Sequence, residues 1–359
     1  MNENDYLLII LKLHVYEKFM LLKKIPLYVL LFICLSTFSQ NMKEGFLLLE
    51  HGKYKDAEAY FKKTLETYPT NKTARLCYGR AIGLNGNPLK AKTIFLNLLE
   101  DYANDFEIKL NYGESLLWNK NYNEAKVYYE KLISQNKKSF PALLGYANTL
   151  SNLKDYENAI AYITKALIIS PNNESALTSK KYMYLGHAYQ QEQLQSYEVS
   201  ETILKENLNA FPNDKETLFN LSNLYLISNQ LEKAEATYNK LLENEQSKLG
   251  ALNGLSLIAH LRGKESKALH LSTKAYNLLS KNVAAKTKQQ TTERFIQALI
   301  WNHKYKKAQH LIDELLKKHP NENWILSLRA TLNIYKSDFK KSITDYTTIL
   351  KKDSTSFDG

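Results

Sequence analysis

The chain has 359 residues, a formal net charge of +11, 44% hydrophobic and 24% charged residues, and only 12 Gly and 7 Pro. That apolar fraction is enough to build a core, which excludes a disordered chain, and so few Gly and Pro exclude a turn-rich all-β protein in favour of helices with short connections. The positive charge suits an acidic partner or a membrane surface, but no basic run is interleaved with aromatics as a nucleic-acid groove requires, so no nucleic acid is expected as a partner.

The first element is N-terminal. Lys23 and Lys24 precede fourteen uncharged residues, Ile25 to Phe38, with small residues near and just past their end at Ser36, Thr37 and Ser39. A basic region, a short apolar region and a small-residue end have the pattern of a secretory signal cleaved after Ser39. The stretch is shorter than the roughly 20 residues that span a bilayer. The alternative is an uncleaved segment that anchors the chain to an inner membrane, and this would be its only membrane contact. Residues 1–39 are therefore read as an N-terminal extension plus signal, with Met20 as the expected true start. Ile33 before Cys34 does not suit lipid attachment. Once Cys34 is removed, Cys77 stands alone, so neither a disulfide nor a thiolate metal site is expected.

From residue 40 onward the chain repeats. The small residues Ala57, Ala91, Ala125, Ala159, Ser200, Ala234, Ala268, Ala308 and Ser342 are separated by 34 residues in six of eight steps, the other two being 41 and 40. Other positions keep the same register. Twelve residues before each ladder position stands a small residue, from Gly45, Gly79, Gly113 and Ala147 to Ala188, Ser222, Ser256 and Ala330; only Ile296 departs. Four residues after it stands a bulky one, such as Phe61, Phe95, Tyr129, Ile163, Leu204 or Tyr238, with Ser272 the exception. Four repeats carry proline twelve residues after the ladder position, at Pro69, Pro171, Pro212 and Pro320.

Apolar residues at helical spacing on both sides of Asn85-Gly86-Asn87-Pro88 predict two helices joined by a tight turn, with Pro88 opening the second. Small residues on both helices allow their backbones to approach closely, and Ala91→Leu should overpack that crossing. The extra residues of the long steps fall within 173–197 and 280–296. The first is expected to lengthen a helix by up to two turns or to lengthen the turn after it; either insertion could decorate a binding face or be a harmless extension.

This register resembles the tetratricopeptide repeat. The resemblance implies an all-α, right-handed superhelical solenoid of antiparallel helical hairpins, with nine hairpins over residues 40–353 and residues 354–359 opening a tenth that is cut short. A hairpin of this kind cannot bury its own apolar face, so stability comes from stacking on neighbours.

No catalytic pattern is present: no nucleophile elbow, no H-E-x-x-H, no phosphate loop and no C-x-x-C. The chain is therefore expected not to be an enzyme and to need no cofactor or metal. By the resemblance, ligands lie in the concave groove of the first (A) helices. The groove residues expected here are Asn111, Glu114, Trp118, Asn148, Asn152, Tyr189, Asn220 and Asn223, with Tyr182, His260 and Trp301 at comparable places. Asn offers a donor and an acceptor to a peptide backbone or a sugar hydroxyl, and Trp and Tyr offer flat apolar area. Trp118 and Trp301 could equally pack between repeats. The expected role is an exported scaffold for a protein or peptide partner in a bacterial envelope, with polysaccharide as another ligand class. Two alternatives stand beside it: the periplasmic arm of a larger outer-membrane or polysaccharide-export protein, and the non-catalytic part of a truncated enzyme.

Overall fold

The structure is a computed structural model that describes residues 42–352. The signal at residues 1–39 and the tenth-repeat start at 354–359 lie outside the described residues. Within them the chain is all-α, with no strand, and eighteen helices pair into nine antiparallel hairpins. Two compact units divide between Ala176 and Leu177.

The first unit contains α1 (42–50), α2 (Tyr54–Thr67), α3 (Lys72–Leu84), α4 (Pro88–Asp101), α5 (Phe106–Trp118), α6 (Tyr122–Gln135), α7 (Phe140–Asn152), α8 (Tyr156–Ile169) and the first residues of α9 (Glu174–Gln193). The second contains the rest of α9 and α10 (Tyr197–Ala210), α11 (Lys215–Ile227), α12 (Leu231–Asn239), α13 (Glu245–Leu261), α14 (Glu265–Asn277), α15 (Ala285–Trp301), α16 (Tyr305–Lys318), α17 (Asn323–Tyr335) and α18 (Phe339–Lys352). Odd-numbered helices are the A helices, and within each unit they also touch one another, as α3–α5, α5–α7, α11–α13 and α13–α15 do.

The ladder is the core. Eight of its nine residues are fully buried and the ninth, Ser342, is 4% exposed. The bulky partners Phe61, Phe95, Ile163, Leu204 and Ile312 are also fully buried. The small residues leave room for them: a Cβ on Gly45 would lie 2.5 Å from the Phe61 ring, and one on Gly79 would lie 2.6 Å from Phe95. The two departures are closed off too. Ile296 is fully buried beside Ala308 and Ile312, and Ser272 is buried with its hydroxyl donating to the Leu269 carbonyl at 3.1 Å.

Local chemistry starts and stops the helices. Most A helices begin at an Asn, Asp or Ser whose side chain accepts from a backbone N–H two or three residues on: Asn71, Asp105, Ser139, Asn173, Asp214 and Asn244. These caps satisfy donors that have no partner within the helix. Every A helix ends in the left-handed region five residues before the ladder residue. Glycine fills that place at Gly52, Gly86 and Gly263; Lys120, Lys154, Gln195, Asn229, His303 and Ser337 fill the other six. The turn at Asn85–Pro88 forms as expected, with α4 opening on Pro88 and Asn87 accepting from the Lys90 N–H.

The long steps resolve differently. In the first, α9 has 20 residues where α7 has 13, so all seven extra residues lengthen the helix and the turn after it stays short. In the second, α15 has 17 residues and the remainder lengthens the connection after α14. α13 also has 17 residues within a regular step, because α12 stops after 9.

Candidate functional site

Two clefts open along the A helices, one in each unit. The first, of about 350 Å³, is walled by α5 and α7, with Leu110, Asn111 and Glu114 on one side and Leu144 and Asn148 on the other. Arg80 of α3 reaches it from one end and Ser175 of α9 from the other. The second, of about 330 Å³, is walled by α11, α13 and α15, with Phe219, Asn223, Asn253, Leu257, Arg294 and Gln297 among its residues.

The two clefts are built alike. Each has for a floor the bulky tyrosine that follows the ladder residue by four, Tyr129 or Tyr238. Each ring reaches the next A helix at a glycine, Gly145 or Gly254, where an added Cβ would overlap the ring itself. The glycines are what let an aromatic floor slide under two adjacent helices. Burial pushes both phenols well above the ordinary tyrosine range, so both are neutral hydrogen-bonding groups. Tyr238 uses its hydroxyl to donate to Asn223 Oδ1 at 2.5 Å, which orients that amide and leaves its NH₂ for another partner.

Each cleft holds one arginine and one glutamate. Glu114 reaches solvent, yet the groove walls crowd it; desolvation raises its carboxyl pKa and the Arg80 charge opposes the rise. In the second cleft, Arg294 is half-buried; desolvation lowers its pKa from the usual arginine value and the Glu293 charge opposes the fall. Its Nη1 donates to Gln297 Oε1 at 2.9 Å.

Of the residues expected in the groove, Asn111, Glu114 and Asn148 meet in the first cleft and Asn223 lies in the second. Asn111 is 7% exposed and donates to the Glu107 carbonyl, so only part of it faces the cleft. Asn152 and Asn220 bond back along their own helices, to the carbonyls of Asn148 and Glu216. Tyr182 and Tyr189 are exposed on α9, seven residues apart. Trp118 fills the space over Gly83 and lies 6.5 Å from the Phe95 ring, which is packing between adjacent repeats. Trp301 stacks on His260 at 3.5 Å, and His260 is held in turn by Glu265 at 2.8 Å. Sequence reasoning passed over Arg80, Asn253, Arg294 and Gln297. The signal was there: Arg80 and Gln297 stand at the repeat position of Glu114 and Asn148, and Arg294 at that of Asn111 and Asn220.

Among the described residues no group of three or more His, Cys, Asp or Glu is placed to hold a metal ion, and no helix is long and apolar enough to cross a membrane.

Tetratricopeptide-repeat family models match residues 116–180 and 215–248. The second match spans one ladder period and begins at the first residue of α11. No curated protein sequence matches the chain. Among solved structures, the C-terminal part of a TPR repeat-containing protein from Cytophaga hutchinsonii is 13% identical, with a TM-score of 0.50 over 69% of this chain and 98% of that one. A tetratricopeptide repeat protein from Parabacteroides merdae is 18% identical, with a TM-score of 0.44 over 70% of this chain and 98% of that one. YrrB, described as a TPR protein with an unusual peptide-binding site, is 17% identical, with a TM-score of 0.37 over 52% of this chain and 93% of its own. Residues 116–180 and 215–248 are therefore tetratricopeptide repeats, and the buried small-residue ladder runs through the other hairpins of the described residues as well.

Proposed function

We propose that the chain is an exported, non-catalytic scaffold of a bacterial envelope that holds a protein partner by an extended segment laid in its A-helix clefts. The observation that carries this reading is the pair of clefts at equivalent repeat positions, each with amide side chains above an aromatic floor. Amides match the alternating donors and acceptors of an extended backbone, and the tyrosine floors and leucine walls give apolar side chains somewhere to go. Export rests on Lys23, Lys24 and the apolar stretch Ile25–Phe38.

A photo-crosslinking residue placed at Asn148 or Asn223 should capture a discrete partner from the native host. The same probe at Leu89 or Val199, exposed on B helices, should not. Equal capture from both faces would move the partner out of the clefts. For export, an alkaline-phosphatase fusion after the array should be active with residues 20–39 present and inactive without them. Activity without them would remove the envelope setting.

A carbohydrate is the second reading, favoured by Tyr182 and Tyr189. Two exposed rings on one helix face can stack on sugar rings. Quenching of tyrosine fluorescence by a soluble glycan, lost in Tyr182→Ala with Tyr189→Ala, would support it; no quenching across a glycan panel would remove it.

A further inference from the structure

We propose that the cleft of the second unit reads a single acidic side chain within an extended peptide, using Arg294 as the cation and Asn253 as the acceptor beside it. This rests on the cleft reading above and specifies what that cleft selects.

Arg294 is the first observation. The guanidinium carries five N–H donors in a planar fork that fits a carboxylate. Here it donates to Gln297 and lies 5.7 Å from the Trp301 ring centre. Among the described residues it has no carboxylate within ion-pair distance. The other arginine pairs of this unit, Arg262 with Glu232 and Glu235 and Arg329 with Asp345, show what it lacks. Phe219, Leu226 and Leu257 line the same cleft and put apolar surface beside the guanidinium. The Glu293 charge acts on Arg294 from within the cleft but makes no ion pair with it, so the guanidinium fork is open to a carboxylate that meets it directly.

Asn253 is the second and independent observation. Its Oδ1 is buried with no hydrogen-bond partner. The orientation of the amide is set, because its Nδ2 donates to Thr291 Oγ1 at 2.8 Å while the Thr291 hydroxyl is committed to the Thr287 carbonyl at 2.9 Å. An unmet buried acceptor calls for a donor. An acidic residue within a chain supplies both requirements: a carboxylate for Arg294 and a backbone N–H for Asn253, whose buried oxygen meets it when the amide turns out into the cleft it lines.

Glu293 restricts the choice further. It lines the cleft next to Arg294, its carboxylate accepts from the Gln289 amide at 2.9 Å, and its charge acts on Arg294 without an ion-pair contact. It repels a second acidic residue, so the segment is one Asp or Glu flanked by uncharged or basic residues. The first cleft lacks this arrangement, since Leu144 stands where Asn253 does.

The test pans the full chain against a random-peptide library displayed on phage, then measures end-blocked synthetic copies of the enriched peptides. The enriched set should share one Asp or Glu without an acidic neighbour. Changing that residue to Asn should weaken binding by roughly tenfold, the scale of one charge-assisted pair. On Arg294→Gln the acid and amide peptides should bind equally, with the melting temperature unchanged, and on Glu293→Gln a doubly acidic peptide should gain. Enrichment without an acid, or an acid preference that survives Arg294→Gln, overturns the inference and leaves the cleft reading standing. A requirement for a free terminal carboxylate also overturns it. No enrichment at all sinks both.

Discussion

Gly145→Ala asks whether the glycine under Tyr129 is there for space. Tyr129 is 2% exposed, and its ring is wedged between two helices. A Cβ on Gly113 of its own hairpin would lie 2.9 Å from Cζ, and one on Gly145 of the next helix would overlap Cζ, Cε1 and the hydroxyl. Two terms oppose each other. Alanine in mid-helix gains about 0.5–1 kcal/mol over glycine. Forcing a methyl into a filled site costs about 1–3 kcal/mol. The clash is with a rigid ring and not with a flexible tip, so overpacking wins and the net loss should be about 0.5–2 kcal/mol. The assay is thermal unfolding followed by circular dichroism, run as a double-mutant cycle with Tyr129→Leu, since Leu204 fills the same repeat position elsewhere. Alanine at 145 should cost less, or nothing, once the ring is trimmed, with a coupling of about 1 kcal/mol, within the range for residues in contact. Gly86→Ala is the control: Gly86 has open space around it but a φ of +95°, so its loss should be indifferent to Tyr129. A neutral or stabilising Gly145→Ala would refute the packing argument.

Other outcomes follow from the same structure. Lys120→Gly and Lys154→Gly, at φ of 59° and 63°, should each raise stability by about 0.5–1 kcal/mol in thermal unfolding, because the strain relieved exceeds the entropy that glycine adds to the unfolded chain. Asp105 is held below its ordinary pKa by the hydrogen bond from Lys72 and by the N–H groups it caps, and Asp214 by its bonds to Thr217 and by Lys181, against the burial that raises it. A depressed carboxylate stabilises the fold above its unfolded pKa of about 3.9, and that contribution disappears as pH falls through the folded value. Asp105→Asn with Asp214→Asn should therefore flatten the acid limb of the melting-temperature profile below pH of about 4 and leave its neutral slope alone. Burial pushes the Cys77 thiol up to about 11, so maleimide labelling of Cys77, read by peptide mass, should be negligible at neutral pH in the folded chain and complete in denaturant.

The hairpins were legible because the ladder is the part of the sequence that packing constrains most tightly. A small residue at 57, 91 or 125 has one permitted size, and so does the glycine twelve residues earlier, so the same letters recur. The cleft residues are free of that constraint. Asn148, Leu257 and Gln297 occupy one repeat position with three chemistries, and no periodicity can announce them. Arg294 escapes for a further reason: amides and aromatics announce a groove by their chemistry, whereas an arginine on a Lys-rich chain looks like ordinary solvated surface. Only the structure shows that it is half-buried and that the neighbouring Glu293 makes no ion pair with it. Trp118 went the other way, since a large aromatic on an A helix suggests a ligand, but the glycine at 83 that accepts it lies one hairpin earlier.

The length of the first insertion has a physical reason that can be tested. A helix advances about 100° per residue, so seven residues bring the face round to within about 20° of where it began. Ala176 and Met183 stand seven apart in α9, and both are buried, at 0% and 1% exposure. Each occupies the repeat position held by Ala142 in α7, one counted forward from the hairpin before and one counted back from the hairpin after. Deleting residues 178–184 therefore returns the step to 34 and leaves every remaining residue of α9 on the face it has now. Deleting residues 178–182 instead removes five, and turns the two ends of the helix about 140° apart, which carries Gly186 and Ala188 off their packing face. The seven-residue deletion should melt within a few degrees of the parent, while the shorter one should lose helical signal and broaden the transition. Equal losses from both would mean that the extension is held by something other than helical phase.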